Sequence, residues 1–262
     1  MIKILTPEQI STIEKEQAIL QESWKNRQTD GEIVEYLGKN FVVFPDVFPP
    51  GNDSKILVQN LPELDNSTVL DIATGCGVIA IFASLRGARQ VTAVDINPNA
   101  VKCAQHNVIN HGISDHVDVQ LSDLFEQLLP SMRFDVITAN LPFRKKYAPD
   151  IVASAQWDTD FELHRRFFSQ VSNFLNPQGR LYMPQPNYPE LNETLNLAQS
   201  AGFKTKEIGS RLSDGIDPRD YYVFEMSVGQ SGSRGSFSPS PRTTPDKSGF
   251  STGKRVRTGR FT

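Results

Sequence analysis

The chain has 262 residues, of which 38% are hydrophobic, and a net charge of minus three, which suffices for an ordinary folded core of one large or two small domains and excludes disorder throughout. No stretch approaches the roughly 20 consecutive apolar residues of a membrane-spanning helix, and the opening MIKILTPEQISTIEKEQ carries acids where a secretory leader has an apolar block, so a cytoplasmic protein with no membrane partner is expected. Two cysteines, Cys76 and Cys103, are too few for a disulfide framework and lack zinc-finger spacing, so no metal is expected.

Residues 6 to 25 place Ile10, Ile13, Ile19, Leu20 and Trp24 at helical spacing behind a Thr6-Pro7-Glu8 start, which predicts a lid or cap helix. EIVEYLGKNFVVFPDVFPPG reads as two short strands around Gly38, broken by Pro45 and by Pro49-Pro50. From Ser67 the pattern becomes regular: TVLDIA, a glycine turn, a helix over VIAIFASLRG, QVTAVDI, a helix over NAVKCAQHNVINHG, VDVQLSD and FDVITANLPF. A helix over DFELHRRFFSQVSNFL, a turn at NPQG, a strand RLYMPQP, a helix over ELNETLNLAQSAGF and strands around KTKEIGS and DYYVFEMSV complete it. Short apolar strands alternating with helices predict an α/β fold, a doubly wound and mostly parallel sheet with an antiparallel edge strand. Three regions are expected: 1–60 as helix and hairpin lid, 61–228 as the ligand-binding domain, and 229–262 as a disordered tail. That tail holds seven cations against Asp246 alone, so it is six positive and leaves the body nine negative. It reads either as a solvated appendage or as a contact for nucleic acid.

Ligands of such sheets bind at the carboxyl ends of the strands, near the point where strand order reverses. The first strand ends in Asp71-Ile72-Ala73-Thr74-Gly75-Cys76-Gly77, a glycine turn that lets a ligand approach the backbone. The glycines alone also satisfy a relaxed dinucleotide fingerprint, but Asp71 would repel a pyrophosphate and favour a cationic amine. Asp95 lies 24 residues on, at the end of the next strand, where a carboxylate can accept both ribose hydroxyls. Asp123 ends the third strand with Leu124 beside it, an acceptor for an exocyclic amine next to an apolar contact for its ring. These positions together describe a nucleoside joined to an amino acid.

VLDIATGCGVIAI, AVDINPNAVKCAQHNVINHG, LSDLF and FDVITANLPF, in this order and spacing over residues 31 to 228, resemble the class I S-adenosylmethionine-dependent methyltransferases of the small-domain group. That group includes release-factor glutamine methyltransferases and RNA and DNA amino-methylating enzymes with an [Asn/Asp]-Pro-Pro-[Tyr/Phe] motif after the fourth strand. Carried over by position, the resemblance implies a Rossmann-like fold and S-adenosyl-L-methionine as cofactor. It implies that Asp71 and the Gly75 and Gly77 backbone hold the methionine moiety, Asp95 the ribose and Asp123 the adenine, with Ala73, Thr74, Ile96 and Leu124 also among the cofactor-binding residues. Asn140, Leu141, Pro142 and Phe143 would clamp the acceptor, with Asn140 also bordering the cofactor. Two positions depart from the pattern: Ala73 replaces the first glycine, and Leu141 replaces the first proline.

An amide or aromatic amine is a poor nucleophile because its lone pair is conjugated. If the Asn140 oxygen and the Leu141 carbonyl accept its two N–H groups, the lone pair is aimed at the methyl group and the growing charge is stabilised, while Phe143 stacks on the flat acceptor. Leucine at 141 keeps that carbonyl and, as the residue before Pro142, still favours extended backbone; its isobutyl group is expected to reshape the pocket. The acceptor itself is open: a small molecule, a protein side chain or a nucleic-acid base. Rival classes are a nicotinamide-dependent oxidoreductase using the Gly75 loop and Asp95, and a catalytically inactive relative that only binds.

Cys76 reads as a small packing residue and not a nucleophile, because no histidine is near it in sequence. His106, His111 and His116 recur at intervals of five and share no helical face, and Asp158-Thr159-Asp160 reads as a helix cap before His164. Arg144-Lys145-Lys146 reads as an exposed charged loop or as an attractor for a substrate phosphate or carboxylate.

Overall fold

A computed structural model describes residues 2–213 and 217–229, so the expected basic tail, apart from Gly229, lies outside the described residues. Helix α1 (Pro7–Lys25) begins with a capping box: the Thr6 hydroxyl accepts from the Gln9 amide at 3.3 Å, and the Gln9 side chain accepts from the Thr6 amide at 2.9 Å. Proline at the first helical position costs nothing there, because that N–H has no partner within the helix. Strands β1 (Glu32–Tyr36) and β2 (Lys39–Val43) form a separate hairpin whose two turn residues, Leu37 and Gly38, both have positive φ, the twist that suits adjacent antiparallel strands.

A short helix α2 (Asn52–Asn60), not anticipated from the sequence, precedes the sheet. Then come β3 (Thr68–Ile72), α3 (Val78–Leu85), β4 (Gln90–Asp95), α4 (Pro98–Asn110), β5 (Val117–Leu121) and β6 (Phe134–Ala139). After a small helix α5 (Ile151–Ser154) follow α6 (Glu162–Gln170), β7 (Leu175–Pro186), α7 (Glu190–Ser200), β8 (Phe203–Arg211) and β9 (Tyr221–Val228).

The seven strands lie in the order β5-β4-β3-β6-β7-β9-β8, parallel except where β9 pairs antiparallel with both β7 and the edge strand β8. Alternation along the strands divides the core. Val69 faces the side packed by α2, α3 and α4, whereas Leu70 and Ile72 face the side packed by Phe167 and Phe168 of α6. Chain order reverses between β3 and β6, and the site expected at their carboxyl ends falls there.

Two expected elements differ in detail. The single helix expected over 160–175 begins only at Glu162, because Asp160 and Phe161 both take left-handed backbone, and its last turn tightens into a 3-10 segment at Val171–Phe174. The NPQG turn is a wide bulge within β7: Phe134 pairs with Leu175 and Val136 with Arg180, so the chain in β7 carries three additional residues there. A Cβ on Gly179 would lie 2.9 Å from the Phe134 carbonyl, which explains the glycine.

Candidate active site

The loop after β3 alternates left-handed residues: Ala73 (φ 59), Gly75 (φ 57) and Gly77 (φ 84). Gly77 is required sterically, since a Cβ there would approach Ala104 at 3.1 Å and separate α3 from α4. At Gly75 the Cβ position is open, with only the Phe48 carbonyl 3.8 Å away, so the backbone presents a bare face to the cleft. Ala73 takes the backbone conformation that glycine takes without penalty, at a cost of about 1 kcal/mol. Ala73→Gly is accordingly expected to leave stability unchanged or raise it by up to about 1 kcal/mol and to tighten S-adenosylhomocysteine binding, read by thermal unfolding and calorimetry. A lower melting temperature with weaker binding would contradict strain at this position.

Asp71 differs from its sequence-based role. Its side chain is fully buried beneath the loop, with the carboxylate accepting from the Thr74 and Thr138 hydroxyls at 2.7 Å each, and it is not among the residues lining the cleft. The period of β3 turns it toward the interior under the loop, so it holds the loop instead of touching a ligand amine. Burial pushes its carboxyl up to about 6, against which the two threonine hydroxyls act, and Asp95 adds repulsion. A raised carboxylate stabilises the fold below its unfolded value of 3.8 and loses that contribution as pH rises through about 6. Relative to the parent, Asp71→Asn is therefore expected to gain about 2 kcal/mol of stability between about pH 4.5 and about pH 7.5, measured by denaturant titration at both. An unchanged difference would show that Asp71 does not titrate in this window.

Asp95 closes β4 on the cleft wall. Its two oxygens accept from the Gly75 and Asn97 amides at 2.9 Å each, and burial raises its carboxyl above the ordinary range despite those bonds. Each oxygen keeps a lone pair for a hydroxyl of a ligand. Ile96, half exposed, lies beside it on the same wall. Thr74 is buried and lines the cleft, and Leu124 reaches it from a left-handed turn held by the Ser122 hydroxyl, which donates to the Leu124 carbonyl at 3.0 Å. Asp123 borders the cleft and is paired with Arg166 at 2.9 Å.

On the other side of the switch point, β6 delivers Asn140. Its amide nitrogen donates to the Asp53 carboxylate of α2 at 2.9 Å, which fixes the orientation of the amide. Its Oδ1 is buried with no protein partner. Leu141 also lines the cleft but is 1% exposed and packed in the core with Leu70, Ile72 and Leu124, so its isobutyl group anchors the motif to the sheet more than it reshapes the pocket. Pro142 is buried, and half-buried Phe143 packs on Leu5, Ile13 and Tyr188 while still lining the cleft.

The cations after the motif are held by carboxylates of other elements. Arg144 bonds both oxygens of Glu190 and, at 3.0 Å, Glu14; Lys145 pairs with Glu193 at 3.2 Å and Lys146 with Glu14 at 3.4 Å. They join α1 and α7 to the motif while Lys145 stays exposed, so each of the three cations has a carboxylate partner within the chain. Asp158 accepts from the Leu163 and His164 amides and from the His164 ring, as a cap does. Cys76 is buried and its thiol is raised by burial, as befits a packing residue.

The cleft encloses about 610 Å³, within the usual size for small-molecule sites. Asn140, Asp95, Asp123 and the glycine loop meet on it, and it also includes Gln17, Leu20 and Trp24 of α1, Asp53 and Trp157, of which the sequence pattern marked only Leu20 and Trp24, as apolar positions of the expected cap helix. The break at Pro49-Pro50 gave no sign that Asp53, just after it, reaches Asn140, 87 residues away. No helix among the described residues is long and apolar enough to cross a membrane.

Residues 49–202 match the family described as the methyltransferase small domain. A putative protein N5-glutamine methyltransferase of Methanocaldococcus jannaschii is 33% identical over 186 residues, spanning 69% of this chain and 92% of that protein. A tRNA1(Val) adenine(37)-N6-methyltransferase of Porphyromonas gingivalis is 32% identical over 45% of this chain and 49% of its own length. Among solved structures, the T. thermophilus 16S rRNA N2 G1207 methyltransferase in complex with AdoMet and guanosine superposes with a TM-score of 0.55 at 19% identity, covering 75% of this chain and 49% of that one.

Proposed function

This chain belongs to the methyltransferase small-domain family, whose cofactor is S-adenosylmethionine, and from that premise we propose that it transfers the cofactor's methyl group to a nitrogen of an acceptor held at Asn140–Phe143. The observation that carries the acceptor role is the Asn140 amide: its nitrogen is committed to Asp53, and its oxygen is left buried as an acceptor without a protein partner. Such an oxygen is costly to bury alone, by about 1–3 kcal/mol, and an incoming N–H relieves that cost.

The residues fit the cofactor. The open Cβ position at Gly75 admits close approach of its backbone to an amino acid group, Asp95 offers lone pairs to ribose hydroxyls, and Ile96 and Leu124 offer apolar contact to a ring near Asp123. When bound, S-adenosylmethionine supplies an electrophilic methyl carbon on a sulfonium. Asn140 and the Leu141 carbonyl orient the acceptor nitrogen. Held there, the nitrogen would present its lone pair to the bound methyl carbon, sulfur would keep the C–S electrons, and the acidified N–H proton would pass to water. No strong base is required, because the proton becomes acidic only as the bond forms.

The N5-glutamine and N6-adenine activities named for the relatives support nitrogen as the atom methylated, and they do not favour a nicotinamide oxidoreductase. A cytoplasmic setting belongs to the same proposal. Incubation with methyl-tritiated S-adenosylmethionine, followed by hydrolysis and mass analysis of the product, tests it. Label on nitrogen is the expected result, and label on oxygen or carbon alone would overturn it.

A further inference from the structure

We infer that the acceptor is a small, uncharged molecule bearing a primary amide or aromatic amine, held between α1 and the Asn140 motif and contacted by Gln17 and Trp157. This rests on the N-methyl-transfer proposal and adds the substrate class.

The first ground is the placement of α1. Its leading segment is strapped to the end of β7, where the Leu5 amide donates to the Asn187 carbonyl at 3.0 Å and the Asn187 side chain donates to the Lys3 carbonyl at 2.8 Å. Further along, Glu14 holds Arg144, the Gln21 side-chain nitrogen donates to Gln156 at 2.6 Å, and Lys25 pairs with Asp150 at 3.0 Å. Helical spacing then turns Gln17, Leu20 and Trp24 onto the cleft wall. A helix tied along its length over the acceptor motif leaves a compartment suited to a compact molecule.

The second ground is polarity. Gln17 is only 7% exposed and its side-chain oxygen has no partner; the Trp157 indole N–H, on the same wall, is also buried without one. One unpartnered acceptor and one unpartnered donor on the lining, beside the Asn140 oxygen, match a molecule that carries further polar atoms besides its reactive N–H groups. Lys146 lies 4.1 Å above the indole ring and holds it in place.

The third ground is charge. Among the described residues lining the cleft, the cations are Arg144, Arg166 and Arg219, and each is paired with a carboxylate, Glu190, Asp123 and Asp217 respectively. Six acids share the same wall. A phosphate backbone finds no uncommitted cation there, and an anionic acceptor is repelled.

The test uses the full chain with methyl-tritiated S-adenosylmethionine and an extract of its own cells divided into a fraction below about 3 kDa and a macromolecular fraction. A new labelled compound in the small fraction, resolved from the cofactor by chromatography and absent with Asn140→Ala, is the expected result. Gln17→Leu and Trp157→Phe should each raise its KM roughly tenfold while S-adenosylhomocysteine affinity stays unchanged. Label in RNA or protein alone would overturn the inference and leave nitrogen methylation standing. No label in either fraction, with S-adenosylhomocysteine still bound, would overturn both. Unaltered KM in both variants would remove Gln17 and Trp157 from recognition and overturn the inference as stated.

Discussion

Asn140→Ala is expected to lower the first-order rate of methyl transfer by about 10²–10³-fold while S-adenosylhomocysteine affinity changes by less than about threefold. The basis is geometric. The Asn140 oxygen is buried without a protein partner, and in the proposed reaction it accepts the N–H whose polarity grows as positive charge develops on nitrogen. A bond that strengthens toward the transition state appears in kcat more than in KM. Alanine removes that bond and also leaves the Asp53 carboxylate, 5% exposed, with only the long bond from the Ser54 hydroxyl. Single-turnover labelling with saturating cofactor, beside calorimetry with S-adenosylhomocysteine, separates chemistry from binding. Unchanged turnover would remove Asn140 from the reaction, and lost cofactor affinity would make it a cofactor residue instead.

Asn140 was legible in the sequence because a buried strand that ends in a polar residue before Pro142 is conspicuous, and because the acids ending the preceding strands recur at the interval of a strand-helix-strand unit. What each of those acids does was less legible. Asp71 and Asp95 both end central strands and look equivalent in one dimension. In three, Asp95 reaches the cleft while Asp71 turns beneath the loop onto Thr74 and Thr138. The deciding partner, Thr138, is 67 residues away on a neighbouring strand, which no local pattern reports. The ion pairs of the cations after the motif were hidden in the same way, since they depend on Glu14 at one end of the chain and Glu190 and Glu193 toward the other. The doubly wound, mostly parallel class of the sheet, by contrast, follows from the alternation of strands and helices with little dependence on such pairs.

In the proposed reaction, Asp53 is where those long-range contacts are expected to matter most for turnover. Its α2 is nine residues long and follows Pro49-Pro50-Gly51, a punctuation that reads as loop, so neither the helix nor its aspartate was visible in the pattern. The carboxylate can only accept, so it must face the Asn140 nitrogen, and the Asn140 oxygen is thereby committed to the other direction. Removing it in Asp53→Ala frees the amide to rotate, and a rotated amide offers an N–H where the acceptor's own N–H arrives. The expected loss is about 30- to 100-fold in kcat with S-adenosylhomocysteine affinity retained. A purely structural role predicts something different: Asp53 also sits in the first turn of α2, where a negative charge adds about 0.3–1 kcal/mol, and that contribution is lost in alanine and asparagine variants alike. Asp53→Asn keeps an oxygen to accept from Asn140 but not the charge. Recovery of turnover to within about fivefold of the parent in Asp53→Asn, with melting temperatures of both variants lowered equally, assigns Asp53 to positioning. Equal loss of turnover in the two variants would assign it to the helix alone.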